Sequence, residues 1–245
     1  MTNQGALEKQ SKDFAERLSK TVRAVFTECG DFTANMFPDG AKSVVKQEED
    51  FGIPLLVNGV QILALKVEYR CCLDGHGKYL AVETSTISVY AGEKPDREPL
   101  FRYEYVRSPQ GTSPAAHIHV HAHRDAFTAA MVRSGKATRR GNRRANNTGV
   151  PSMSEIHFPV GGSRFRPSLE DVLEMLIDEF GVDSPSDFRE KLRRGRTEWR
   201  QIQLKAATRD DPESAIEALR SLGYDIHLPQ GRTRPVMNLD RLEEL

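Results

Sequence analysis

Four of the seven histidines in this chain lie at every second position of one short run. They are His117, His119, His121 and His123. Alternate side chains of an extended strand point to the same side, so the run predicts one face made of imidazoles and an opposite, apolar face. Imidazole binds divalent transition metals and titrates near neutral pH. Such a face is therefore suited to metal chemistry or to acid–base and nucleophilic catalysis.

Strand spacing limits how many of these histidines can bind one metal ion. Neighbours on one face are about 7 Å apart at the backbone, so two can chelate one ion, whereas the outermost pair, about 20 Å apart, cannot. A divalent metal such as zinc, if bound, is expected at His119, His121 and His157. Glu155 and Glu104 are alternatives for the third ligand.

Metal-free chemistry at the same face would use the imidazoles directly. Histidine can act as nucleophile, general base or general acid toward a phosphate ester. We therefore predict catalytic roles for three histidines of the run and for one that follows it in the sequence. They are His117, His119, His121 and His157.

The run from His117 to His123 resembles the alternating His–apolar signature of the histidine-triad nucleotide hydrolases and transferases. The resemblance is confined to this run. It implies that the middle histidine of the triad attacks the α-phosphate and forms a nucleotidyl-histidine intermediate. That residue is His119 if the triad starts at His117, and His121 if it starts one step later.

A basic segment follows the histidine run. Residues 124–166 contain nine Lys or Arg residues and two acidic ones, a local charge of +7 in a chain with zero formal net charge. Residues 133–150 are polar and predict a long loop that could close as a lid. Arginine matches phosphate geometry, so a nucleic acid or nucleotide partner is expected. The predicted phosphate-binding residues are Arg139, Arg140, Arg143, Arg144 and Arg164. A second basic surface is predicted on a helix over residues 189–200.

The histidine run is predicted to be the fifth strand of an antiparallel meander sheet. The earlier strands are Ile53–Val57, Val60–Cys72, Tyr79–Tyr90 and Leu100–Val106, and the links between them are short. Asn58-Gly59 is typical of a two-residue hairpin turn between the first two strands.

Helices are predicted on both sides of the sheet in sequence. Apolar spacing over residues 7–26 indicates an amphipathic helix. After the sheet, helices are expected from Ser168 to Phe180, with Gly181 ending the first, then over 184–202 and over 211–222. The predicted fold class is α+β, with a domain at 1–166 and a helical region at 167–245 that packs on it or forms a small subdomain.

Composition narrows the class of protein. No apolar stretch reaches the roughly 20 residues that span a bilayer, and the N-terminus lacks a signal segment, so a cytoplasmic protein without a membrane partner is expected. Three cysteines without Cys-x-x-Cys spacing predict reduced thiols.

The favoured function is a phosphoric-ester hydrolase: a phosphodiesterase or nuclease-like enzyme of the bacterial toxin-like type. The first alternative is a non-catalytic regulatory protein that binds nucleic acid or a protein partner and holds a structural metal. The second is a metal-dependent enzyme that acts on a non-phosphate substrate. No particular protein partner is predicted.

Overall fold

An antiparallel sheet of seven strands forms the centre of the computed structural model, which describes residues 3–26, 29–48, 50–93, 95, 98–108, 115–121, 124–146, 149–151 and 166–242. The strands are β1 (Phe32–Met36), β2 (Ser43–Gln47), β3 (Ile53–Val57), β4 (Val60–Leu73), β5 (Leu80–Ala91), β6 (Phe101–Val106) and β7 (Ala116–Val120). The helices are α1 (Asn3–Arg23), α2 (Arg124–Val132), α3 (Arg139–Ala145), α4 (Leu169–Phe180), α5 (Phe188–Asp210), α6 (Pro212–Ser221) and α7 (Leu239–Leu242).

The long strand β4 organises the sheet, whose order is β1-β2-β4-β5-β6-β7. Both β2 and β3 pair with β4, β3 along its first half and β2 along its second. The buried side chain of Gln47 continues the ladder between them. It accepts a hydrogen bond from Val67 N at 3.0 Å and donates one to Leu65 O at 3.4 Å. One edge of β4 is thus paired by two successive strands.

The predicted α+β class is confirmed, with an N-terminal helix, an antiparallel sheet and C-terminal helices in that order. The sheet has seven strands instead of five, because β1 and β2 were not predicted. Each has only five residues, and only two of those in β2 are apolar. The turn at Asn58 and Gly59 has the expected positive φ angles of 52° and 75°.

One continuous core joins the sheet to α1, α2 and α4. On α4 the predicted apolar stripe, which includes Leu173, Leu176 and Phe180, is fully buried. Ser168 and Asp171 form a reciprocal capping box at the start of α4, and Gly181 ends it at a φ of 66°. The sequence therefore marked both ends of this helix.

Asp183 ties the C-terminal helices to the sheet. Its carboxylate accepts hydrogen bonds from the backbone N–H groups of Asn58 at 3.0 Å and Gly59 at 2.8 Å. Its own N–H donates to Leu56 O at 2.7 Å. The turn between β3 and β4 is thus fixed by a residue more than a hundred positions away.

The loop predicted over 133–150 is wrong at its centre, where α3 forms. Thr138 caps this helix by accepting a hydrogen bond from Gly141 N at 3.0 Å. Helix α2, just before it, was also not predicted, although Phe127, Ala130 and Met131 are buried in the core at helical spacing. Among the described residues, no helix has the length and hydropathy required to cross a membrane.

Candidate metal centre

Strand β7 places the first histidines of the run beside polar residues of β6. In the antiparallel register His117 lies opposite Glu104, and His119 lies opposite Arg102. The alternating residues Ile118 and Val120 pack against the core. The period of two thus puts the imidazoles on the face away from the core, as the alternation predicts.

Three ligand atoms converge on this face. His117 Nε2 lies 3.0 Å from Glu104 Oε2 and 3.0 Å from His119 Nε2, and His119 Nε2 lies 3.2 Å from Glu104 Oε2. In a tetrahedral zinc site with bonds of about 2.0–2.1 Å, ligand atoms are about 3.3 Å apart. The triangle needs to widen by only a few tenths of an ångström to hold such an ion. We call Glu104, His117 and His119 the metal triad.

Arg102 forms an ion pair with the carboxylate of the metal triad. Its Nε lies 2.7 Å from Glu104 Oε1, while Oε2 of the same carboxylate contacts both imidazoles. In metal sites, groups that contact a metal-binding side chain on the side away from the ion orient that side chain and alter its affinity for the metal. Arg102 and Glu104 are two positions apart on β6, so their side chains lie on the same face of the sheet.

The metal triad is open on one side. The side chains of Glu104 and His117 are 24% and 18% exposed, whereas that of His119 is 45% exposed. Three protein ligands with an open position are typical of catalytic zinc sites, and four closed ligands are typical of structural ones. Among the described residues the triad offers three ligand atoms, and His119 is its most exposed member.

His121 belongs to a different contact. Its Nδ1 contacts Glu98 Oε1, and its Nε2 is buried without a hydrogen-bond partner among the described residues. Its ring centroid is 6.2 Å from that of His119. The described chain brings His119 together with His117 and Glu104, the latter one of the predicted alternatives for a ligand. The predicted set of His119, His121 and His157 stays a prediction, because His157 lies outside the described residues.

Several predicted site residues lie outside the described residues: His123, Glu155, His157 and Arg164. For Arg139 and Arg140 the structure places the backbone in α3 and does not describe the side chains. Their predicted roles stay predictions.

Arg144 is not the exposed phosphate ligand that the sequence suggests. Its Nη1 donates to Glu179 Oε2 at 2.9 Å, and the side chains are 3% and 0% exposed. Removing one partner of such a buried pair costs about 3–5 kcal/mol. Arg144 therefore holds α3 on α4, whereas Arg143 on the same helix is exposed.

The second predicted basic surface is largely neutralised by acidic neighbours. Arg189 pairs with Glu174 and Asp178, and Arg196 contacts Asp171 and Glu174. Lys191 and Arg194 pair with acidic residues four positions earlier on the chain. Helix α5 thus offers few free cations to a phosphate backbone along this stretch.

A groove of about 1050 Å³ lies between α3, the end of α4 and the start of α5. Its charged lining residues are of both signs: Arg143, Asp178, Asp183 and Arg189. None of the metal triad residues lines it. This balance of charge gives the groove no preference for an anion.

The sequence did not indicate Arg102 or Glu98 as functional residues. The alternation of β6 carried a signal for Arg102, since it places Arg102 and Glu104 on the face opposite Phe101, Tyr103 and Tyr105. Glu98 precedes the strand and had no such signal.

Comparisons with protein-family models, curated proteins and solved structures give no match to this chain. The resemblance to the histidine-triad enzymes is therefore limited to one sequence motif. Any proposal about function has to be argued from the geometry of the metal triad.

Proposed function

We propose that this protein is a metal-dependent hydrolase of phosphoric esters, with a divalent transition metal held by Glu104, His117 and His119. The observation that carries the proposal is the convergence of these three ligand atoms at 3.0–3.2 Å from one another. Two imidazoles and one carboxylate with an open position form a donor set that zinc hydrolases use. Zinc is therefore the first metal to test.

The chemistry follows from the open position. A bound divalent ion lowers the pKa of a coordinated water and polarises a phosphoryl oxygen, which makes hydrolysis possible near neutral pH. Arg102 keeps the Glu104 carboxylate in place through its contact with Oε1. His121 is anchored by Glu98, and its second ring nitrogen is buried without a hydrogen-bond partner among the described residues, so we assign it no contact with the substrate.

Charge favours an anionic substrate. A divalent ion together with Arg102 outweighs the carboxylates of Glu104 and Glu98, so the loaded site carries a net positive charge. Phosphoric esters are anionic and bind well to such centres. Nucleotides and nucleic acids are the members of this class that we propose to test first, because residues 124–166, which follow β7, carry a local charge of +7.

A metal-dependent enzyme of non-phosphate type is the second candidate. Two histidines and one carboxylate with open positions also form the ligand set of non-haem iron(II) oxygenases. The identity of the metal that copurifies with the chain discriminates between the two. The proposal of a non-catalytic protein with a structural metal has less support, because the described ligands number three and His119 is half exposed.

Elemental analysis of the purified full chain tests the metal. We expect one zinc ion per chain in the wild type. The zinc content should be at least tenfold lower in His117→Ala and in His119→Ala, because each variant lacks one ligand. His76→Ala is the matched control, because His76 is exposed in the turn after β4, away from the metal triad. A wild-type chain that stays metal-free after dialysis against zinc contradicts the proposal, and stoichiometric iron favours the second candidate.

Hydrolysis assays test the reaction. The metal-loaded wild type is incubated with bis(p-nitrophenyl) phosphate, nucleoside triphosphates, RNA and single-stranded DNA. We expect turnover of at least one of these, lost after chelation and restored by zinc, and absent in His119→Ala. A zinc-loaded chain that hydrolyses none of them contradicts the hydrolase assignment while leaving the metal site in place.

A further inference from the structure

Exposed apolar side chains are concentrated at the C-terminal end of the described chain. Of the sixteen large hydrophobic residues that are exposed, ten lie between residues 202 and 242. They are Ile202, Leu204, Leu219, Leu222, Tyr224, Leu228, Val236, Met237, Leu239 and Leu242. We call residues 202–242 the C-terminal arm. Apolar residues gathered in this way indicate an interaction surface, whereas single exposed ones do not.

Helix α6 of the arm has the amphipathic sequence of a helix that packs on a core, but its apolar face is not buried. Ala215, Leu219 and Leu222 share one face, and the charged residues Glu213, Glu217 and Arg220 lie on another. Nevertheless, α6 has no buried residue. A helix of ten residues is marginal alone in water, since helices shorter than about 12–15 residues need packing for their stability. The apolar face of α6 therefore needs a partner surface.

Helix α5 also has apolar residues that lack a packing surface. Leu192 is 1% exposed and belongs to the core, but Ile202, ten residues further along the helix, is 47% exposed. No buried residue is found after Leu192 in the described part of the chain. Ile202 and Leu204 on the second half of α5 are thus apolar side chains that the described part of the chain does not bury.

Charges on the arm are complementary to each other. Lys205 on α5 is exposed and has no ion-pair partner among the described residues, and the same holds for Glu217 on α6. Arg209 at the end of α5 lies over the Tyr79 ring, whereas Asp211 caps α6 and Glu213 in its first turn is 3.8 Å from Arg234 of the same chain. One arm therefore presents a basic segment and an acidic segment next to an apolar surface.

We propose that the C-terminal arm is the interface of a homodimer, in which α6 of one copy packs against α5 of the other. In a two-fold arrangement each contact occurs twice, so the acidic α6 of each copy meets the basic end of α5 of its partner. A standard interface uses about 20–30 residues on each side. The 41 residues of the arm suffice for that. The proposal is independent of the metal centre.

Sedimentation and light scattering of the full chain test the proposal. At micromolar concentrations we expect a mass twice the 27.5 kDa of one chain. The double variant Leu219→Glu with Leu222→Glu should be monomeric, with a dimer Kd raised roughly a hundredfold or more, because it places charges in the apolar contact. Phe51→Glu is the matched control, since Phe51 is 64% exposed and lies outside the arm. It should leave the dimer intact.

A charge exchange tests the pairing of α5 with α6. Lys205→Glu and Glu217→Lys should each weaken the dimer, and a mixture of the two variants should form heterodimers more readily than either forms homodimers. The arm variants should keep the thermal stability of the monomer, because none of the exchanged residues is buried. A wild-type chain that is monomeric overturns the proposal and leaves a different protein as the partner. A dimer that persists in the Leu219/Leu222 variant also overturns it.

Discussion

Arg102 and His119 lie directly opposite each other across β6 and β7, and the Arg102 guanidinium contacts the carboxylate that His119 shares with His117. We predict that Arg102→Ala lowers zinc affinity about 10- to 100-fold, because Glu104 loses the group that holds its orientation. Arg102→Lys should recover part of this loss, since lysine restores the charge without the planar fork. Competition with a chromophoric chelator measures the zinc Kd.

Arg70→Ala is the matched control for Arg102. Arg70 forms an exposed ion pair with Glu68 on β4 and touches no member of the metal triad. Its removal should leave zinc affinity unchanged. Equal zinc affinities for wild type and Arg102→Ala would show that Arg102 does not position Glu104 for metal binding.

His121→Ala tests whether His121 belongs to the metal site. Because His121 contacts Glu98 and does not contact the metal triad, we predict that the variant keeps its full zinc content. Its kcat/KM for a phosphodiester should stay close to the wild-type value, because one ring nitrogen of His121 contacts Glu98 and the other is buried. Zinc content and turnover are measured on the same preparation. A stoichiometric loss of zinc would instead make His121 a ligand.

Zinc should stabilise the fold. A ligand present at 100 times its Kd that binds only the folded chain contributes about 2.7 kcal/mol. For a chain of 245 residues this corresponds to a rise in Tm of roughly 5–10 °C. Differential scanning calorimetry with zinc, and again after chelation, measures the shift. His117→Ala should show no rise, and a rise of equal size in that variant would mean that zinc binds elsewhere.

Local signals account for the parts of the fold that the sequence predicted. The turn at Asn58-Gly59 and the helix from Ser168 to Gly181 depend on residues that are neighbours in the chain. Helix α3 shows the opposite case. Its polar sequence suggested a loop, and it is fixed on α4 by the ion pair of Arg144 with Glu179, 35 residues later.

The candidate site was predicted as far as the period of a strand allows. Alternation places His117, His119 and His121 on one face, but it does not give the register of β7 on β6. That register puts Glu104 opposite His117. The choice of His117 over His121 as a partner for His119 therefore depends on the pairing of two strands and on Glu98, neither of which the alternation contains.

Glu170 is a buried carboxyl group between α4 and its neighbours. It is 7% exposed, and Thr21 on α1 donates a hydrogen bond to its Oε1 at 3.5 Å. Gly195 on α5 leaves room for it, since a Cβ at that position would lie 2.5 Å from Oε1. Burial raises the pKa of Glu170, and the charge of Asp171 adds to the increase, while Ser168 and Arg196 act against it.

Because the pKa of Glu170 is raised in the folded chain, we predict that the free energy of unfolding depends on pH. The folded chain retains the proton at pH values where the unfolded chain has lost it, so the free energy of unfolding should decrease as pH rises from about 4.5 through the raised folded-state pKa. Each unit of pKa difference corresponds to about 1.4 kcal/mol. Glu170→Gln removes the ionisation, keeps an acceptor for Thr21, and should be more stable than the wild type at neutral pH. Urea unfolding of both chains between about pH 5 and pH 8 measures the difference, with the exposed Glu48→Gln as a control for net charge. A difference between wild type and Glu170→Gln that stays constant over this range would show that the Glu170 carboxyl ionises equally in the folded and unfolded chains.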